Sequence, residues 1–377
     1  MLTTAIAGRH GVGVVTRAFT VPTQSPESDG TLDWSSTTLV LVEITADGTV
    51  GVGLTYADVT TAAFIDTHLA PIVVAEDPSN IPWLWHRMRR EIRNLGGPGV
   101  AAMAISAVDN ALWDWKARHL GLPLSSLLGA MRPSVPIYAS GGFTNFTEDE
   151  MRRHLETMGE WGARSLKVKV GRLPMDDESV RLVKVRRVIG DDVALMVDAN
   201  GAFSRGQAVE AARRFADAGA VWRSEAETSD EPEGLAYVRQ HAPAGLEVAA
   251  GEYAYVPSDF EHLLDASAVD VLQADATRCL GLSGFLMAAS LCEARAMPLS
   301  AHCAPAQHLP AALAAPRLRH IEYFFDHARI ESMFLDGVPK PRGGELKELS
   351  SAPGNGWTVR WADLATYQTY GPTPPQR

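Results

Sequence analysis

The chain has 377 residues, 46% of them hydrophobic, and a formal net charge of −11. That length suggests two domains, or one large domain with a smaller companion, and the apolar fraction argues against disorder. The basic residues form no stripe that would track a phosphate backbone, no apolar run approaches bilayer length, and the start MLTTAIAGRHGVGVV lacks a signal-peptide pattern, so a cytoplasmic protein with no nucleic-acid or membrane partner is expected.

Residues 12–55 read as β-rich. The run TTLVLVEIT at 37–45 alternates, ADG at 46–48 supplies turn chemistry, and VGVGL at 50–54 begins a return strand. The polar stretch PTQSPESDG at 22–30 reads as a mobile loop, of a size that is often functional. Residues 58–120 switch to helical periodicity, ending in AISAVDNALWDW at 104–115. The first ~125 residues therefore predict an α+β domain.

From about Val135 short apolar strands alternate with helices: IYASGG at 137, SLKVKV at 165, VALMVDAN at 193, AVWRSE at 220, EVAAGE at 247, VDVLQADA at 269, PLSAHC at 298 and HIEYF at 320. Eight βα-length units predict a closed parallel (β/α)8 barrel over residues 126–329. The Gly- and Pro-rich residues 330–377 leave this pattern and are expected to return to the N-terminal domain of residues 1–125. Cys279, Cys292 and Cys303 have neither disulfide nor zinc spacing and read as buried or free thiols.

In such a barrel the chemistry sits at the C-terminal strand ends. Those ends carry Lys167 and Lys169, Asp198 and Asn200, Ser224 and Glu225, Glu252, Asp275, His302 and Glu322. A carboxylate at one strand end is usually a helix cap. Seven polar strand ends around one mouth cannot all be caps. Asp198 and Glu252, with a third carboxylate from position 224–225, form an oxygen-rich set suited to Mg²⁺. Asp275 lies one strand before His302 and is placed to fix its tautomer. A lysine crowded by a second cation and a metal is expected to have a depressed pKa and to act as a base, with Lys169 the better placed of the two. The deeper Lys167 would hold a carboxylate oxygen, and together with Mg²⁺ and Glu322 would stabilise an enolate.

With these residues in place, the sequence resembles the enolase superfamily, in the mandelate racemase branch of the mandelate racemase/muconate lactonizing enzyme family. The likeness rests on the helical stretch GGPGVAAMAISAVDNALWDWKARHLGLPLSSLLGA and on KVK at 167–169, VDAN at 197–200, GE at 251–252, QAD at 273–275, SAH at 300–302 and HIEYF at 320–324. It implies a modified (β/α)7β barrel under an N-terminal capping domain that the C-terminal tail completes. It also implies Lys169 as base on one face of the substrate and the Asp275–His302 dyad as acid or base on the other. Glu322 would hydrogen-bond the enolate, and Asp198 and Glu252 would bind Mg²⁺. Asn200 is expected to contact the substrate. The sixth strand ends in Asp275 and Ala276 rather than the lysine of the lactonising branch, so that branch is set aside. One departure stands out: the second metal ligand of the family falls on Ser224, followed by Glu225. Either Glu225 turns inward, fewer carboxylates bind the metal, or the site is impaired.

The resemblance implies dehydration of a sugar acid, with epimerisation or racemisation of a 2-hydroxy acid as the alternative and a fold without normal activity as a third. Specificity is expected in residues 22–34 and around Tyr56 to Asp58, and a homo-oligomer is the expected assembly.

Overall fold

The computed structural model describes residues 6–7, 11–224, 231–348 and 351–375. Strands β1 (Ile6–Ala7), β2 (Gly13–Ser28), β3 (Asp33–Ala46) and β4 (Thr49–Tyr56) form an antiparallel sheet in chain order. The alternation in β3 divides its side chains between two cores. Val40, Val42 and Ile44 face the helices that follow, while Leu39 and Leu41 join Phe19, Trp357 and Trp361 on the other side.

The helix Val100–His119 is buried on nearly every side because it is sandwiched between this sheet and the barrel. Its backbone lies directly on β4: a Cβ at Gly53 would stand 2.3 Å from Ala107 O and from Ala111 N. Its other face caps a barrel helix. The first N–H groups of the helix Gly281–Ala294 have no partners within that helix. They donate instead to Ser106 Oγ, Asn110 Oδ1 and Asp109 Oδ2, at 2.9, 3.0 and 2.9 Å. Trp85 Nε1 donates to Leu280 O in the same patch.

The barrel strands are β5 (Ser134–Gly141), β6 (Ser165–Lys169), β7 (Ala194–Asp198), β8 (Ala220–Ser224), β9 (Glu247–Ala250), β10 (Val271–Ala274), β11 (Leu299–Ala301) and β12 (Leu318–Phe324). Each pairs in parallel with the next, and β12 pairs with β5 to close the ring. The strand period of two sorts their residues. Leu166, Val168, Leu195, Val197, Leu272, Ala274, Leu299, Ala301, Ile321 and Tyr323 point out to the shell of helices. The opposite parity fills the interior, with Tyr138, Met196, Ala249 and Val271 forming an apolar plug. Continued to the strand ends, that inward parity delivers Lys167, Lys169, Asp198, Asp275, His302 and Glu322, all buried. The architecture is thus the α/β barrel with an N-terminal α+β domain that the strand and helix patterns predict. In the tail, Gln368–Tyr370 pairs antiparallel with β2 of the N-terminal sheet, and Glu345–Lys347 pairs antiparallel with the start of the barrel strand β5.

One expectation is corrected. Residues 22–30 are not a mobile loop, because β2 runs on to Ser28 and pairs again with β3, Glu27 opposite Trp34 and Ser28 opposite Asp33. The pairing breaks between Pro22 and Glu27, where two prolines lack the N–H a ladder needs. Side chains fix what the ladder cannot. Trp34 Nε1 donates to Glu27 at 2.8 Å, Asp29 Oδ1 accepts from the backbone of Thr31 and Leu32, and Ser28 Oγ meets Thr144 Oγ1 at 2.6 Å. The tip reaches the ends of β6 and β7: a Cβ on Gly30 would stand 2.5 Å from Ala199 O and 2.8 Å from Val170 O. No helix among the described residues is long and apolar enough to cross a membrane.

Candidate active site

The inward ends of β6, β7 and β12 form one buried charge network. Lys167 Nζ lies 2.9 Å from Asp198 Oδ2 and 2.7 Å from Glu322 Oε1. Lys169 Nζ lies 2.8 Å from the same Asp198 oxygen and 3.0 Å from Asn200 Oδ1. Two ammonium groups thus share one carboxylate oxygen, and a second carboxylate balances the charge. Burial opposes the charge on Lys169, yet the surrounding carboxylates, Asp198 foremost with Glu252 and Glu322, together outweigh it and hold this lysine above its ordinary range. The attraction to Asp198 at 2.8 Å outweighs the repulsion from Lys167. Burial likewise opposes the charge on Glu322, and Lys167, with His302 and Lys169, more than offsets it, holding this carboxyl well below the usual range. Glu322 accordingly accepts hydrogen bonds here, and the donor available to an enolate oxygen is Lys167.

Across the mouth, His302 follows β11 and Asp275 follows β10. His302 Nδ1 lies 2.8 Å from Asp275 Oδ2. The other oxygen of Asp275 accepts from Thr277 N and Thr277 Oγ1, both at 2.7 Å. Burial opposes ionisation of Asp275, but the His302 hydrogen bond and charge, together with His308 and Arg278, outweigh it and hold this carboxyl well below the carboxylate range. With Nδ1 engaged, His302 presents Nε2 to the centre, 3.6 Å from Glu252 Oε2 and 3.6 Å from Glu322 Oε2.

Asn200 bridges the two halves. It adopts the left-handed backbone, with φ of 46°, accepts from Lys169 and donates to Glu252 Oε1 at 3.3 Å. Asp198 and Glu252 are thus linked through a single amide. Glu252 Oε2 is buried and has no hydrogen-bond partner among the described residues. A buried carboxylate oxygen left without a donor is costly unless something cationic meets it. The donor set here is all oxygen, which suits a hard divalent cation that keeps part of its water shell. The residues present therefore fit a magnesium ion at Asp198 and Glu252. The backbone of Ser224 pairs with Asp198 and Ala249. Its side chain and the whole of Glu225 lie outside the described residues, so the third ligand is not part of this geometry.

Sequence reasoning missed two residues. Glu27, from the hairpin tip, is buried close enough to feel Lys169, and burial with the nearby Asp326 pushes its carboxyl up to about 8. Its position inside a Pro- and Ser-rich stretch concealed it. Cys303 Sγ lies 3.2 Å from His302 Nε2, although no cysteine spacing marks it. Tyr56 does reach this region, stacked 3.5 Å from the ring of His327. Asp58 instead stays exposed and accepts from the N–H of Thr60 at the start of a helix.

Residues 12–129 match the mandelate racemase/muconate lactonizing enzyme N-terminal domain, and residues 150–363 match the enolase C-terminal domain-like family. The L-talarate/galactarate dehydratase of Salmonella typhimurium is 32% identical, over 86% of this chain and 83% of its own. Its crystal structure with magnesium and L-lyxarohydroxamate superposes with a TM-score of 0.86 at 29% identity, covering 95% of this chain and 92% of that one. The arabinonate dehydratase of Saccharolobus solfataricus is 29% identical over 85% of this chain and 88% of its own. A mandelate racemase/muconate lactonizing enzyme-like protein from Rubrobacter xylanophilus reaches a TM-score of 0.91 and 44% identity, covering 94% of this chain and 99% of that one. With both halves of the chain matched and the strand-end residues assembled at one barrel mouth, the chain belongs to the mandelate racemase/muconate lactonizing enzyme family of the enolase superfamily.

Proposed function

We propose that the protein is a magnesium-dependent hydro-lyase that dehydrates a sugar acid to its 2-keto-3-deoxy product. The observation that carries this reading is the division of the mouth: an amine at the end of β6 and an imidazole after β11, with Asp198 and Glu252 on the strands between. Asp198 and Glu252 would hold magnesium, whose positive charge would stabilise the enediolate of the substrate carboxylate and would lessen the hold of Asp198 on the Lys169 ammonium. Lys169, once neutral, takes the proton α to the carboxylate. Lys167 donates to the developing oxyanion, with Glu322 holding its ammonium in place. His302, steadied through Nδ1 by Asp275, delivers a proton from Nε2 to the β-hydroxyl, which leaves as water. Asn200 keeps Lys169 and Glu252 in register and faces the substrate. The hairpin tip at residues 22–34 closes the mouth and selects among sugar acids. In this reading the cap is residues 1–125 completed by 330–377, over a barrel of residues 126–329.

The relatives named as dehydratases of sugar acids support this reading over epimerisation, which the same two residues would serve by returning the proton to the opposite face. Incubating the protein and Mg²⁺ with a library of acid sugars separates them. A 2-keto-3-deoxy product from one member supports dehydration, and an epimer without loss of water would replace it with the second reading.

A further inference from the structure

The thiol of Cys303 has no part in the chemistry above, yet it sits in the middle of it. Adjacent residues on a regular strand point to opposite faces. Cys303 escapes that rule because it follows the end of β11 with a left-handed φ of 52°, and Ala304 follows at 38°. A non-glycine residue in that conformation carries strain. Here the strained backbone brings Sγ round to the same side as the imidazole before it.

The result is a compact set of three different donors. Cys303 Sγ lies 3.2 Å from His302 Nε2 and 3.6 Å from Glu322 Oε2, and those last two atoms are 3.6 Å apart. For a tetrahedral ion with Zn–S near 2.3 Å and Zn–N and Zn–O near 2.0–2.2 Å, the edges between ligand atoms come to about 3.3–3.7 Å. All three observed edges fall at or close to that range. The buried Glu252 Oε2 lies 3.6 Å from the same imidazole nitrogen but outside this three-residue cluster. Behind the imidazole, Asp275 fixes Nδ1, the carboxylate–histidine arrangement that orients and strengthens a metal-binding imidazole. Glu322 keeps its other oxygen on Lys167, so Oε2 is available.

We infer that His302, Cys303 and Glu322 form a three-residue binding site for a thiophilic divalent cation of the Zn²⁺ type, distinct in ligand chemistry from the oxygen site at Asp198. A thiolate and an imidazole favour Zn²⁺ over Mg²⁺, which takes oxygen ligands. Binding forms a metal–sulfur bond and releases the thiol proton to solvent. The cation takes the Nε2 lone pair of His302. It therefore switches the enzyme off. The site rests on the distances alone, whereas the inhibition also rests on the proposed role of His302.

The test uses Co²⁺ as an optical probe for the thiolate. Titrated into the full-length, magnesium-free protein, Co²⁺ should give a near-ultraviolet thiolate-to-metal charge-transfer band that saturates at one equivalent and is displaced by Zn²⁺. Cys303→Ala and Cys303→Ser should both lose the band, although Cys279 and Cys292 remain as buried control thiols. A missing band, or a band unchanged in both variants, overturns the site. In the magnesium-saturated protein, Zn²⁺ should inhibit turnover, and each variant, compared with its own zinc-free rate, should need at least tenfold more Zn²⁺. A Cys303-dependent band without inhibition would keep the site and overturn the switch, together with the role given to His302.

Discussion

At the scale of single residues, the site depends on pairs rather than on single side chains. Asp275 is the clearest case, because it binds no proposed metal and touches the imidazole through 2.8 Å. Asp275→Asn should lower turnover on the order of 10–100-fold, the usual effect of removing a group that orients a functional histidine. Calorimetry should find Mg²⁺ affinity unchanged. A large loss of Mg²⁺ affinity with an intact fold would make Asp275 a ligand and dissolve the dyad. Which residues cluster was legible in the sequence, because among the described residues the strand-end Lys167, Lys169, Asp198, Asp275, His302 and Glu322 share the inward parity. Their charge states were not. The sequence does not reveal that both ammonium groups converge on one oxygen of Asp198. Cys303 was hidden for a related reason: its backbone turn, not its spacing from other cysteines, brings it to His302.

At the scale of elements, the β2–β3 hairpin is the segment most exposed to misreading. Pro22, Pro26 and a run of small polar residues suggest a loop, and the Trp34–Glu27 and Asp29 hydrogen bonds that order it are tertiary or turn interactions with no periodic signature. Gly30 tests whether the tip acts on the site. Its Cβ would stand 2.7 Å from Ala202 Cβ and 2.5 Å from Ala199 O, so Gly30→Ala forces the tip away from the ends of β6 and β7. Overpacking of this kind costs about 1–3 kcal/mol. Steady-state kinetics should show KM raised roughly tenfold, as about 1.4 kcal/mol implies, alongside a melting temperature lowered by a few degrees. A fall in melting temperature with KM intact would show that the tip serves packing alone.

At the scale of the whole molecule, the sheet domain and the barrel are joined by a helix cap that crosses between them. Asp109 accepts from both Ser283 N and Ser283 Oγ, and burial pushes its carboxyl up to about 7. An unfolded aspartate titrates near 3.9, so between those values the folded state holds the extra proton. The protonated group contributes stability that is full below about pH 4 and is lost as the pH rises through 7, roughly 4 kcal/mol at most. Thermal unfolding should therefore show wild type losing ground to Asp109→Asn from pH 5 to pH 8. A constant difference between the two would contradict the buried, protonatable junction. The barrel and the sheet were both readable from periodicity and turn residues, as at VGVGL and at SLKVKV. The junction was not, since Asp109, Asn110 and Ser106 sit in what reads as an apolar helix and find their partners about 170 residues away. The central claim is that Lys169 and His302 divide one reaction between them. It is tested most directly by proton NMR in D₂O, with Mg²⁺ and the sugar acid that the wild type dehydrates. His302→Asn should still exchange the α-proton for deuterium while forming no 2-keto-3-deoxy product, and Lys169→Ala should do neither. Product formation by His302→Asn at near-wild-type rate, or α-exchange surviving in Lys169→Ala, would contradict the account.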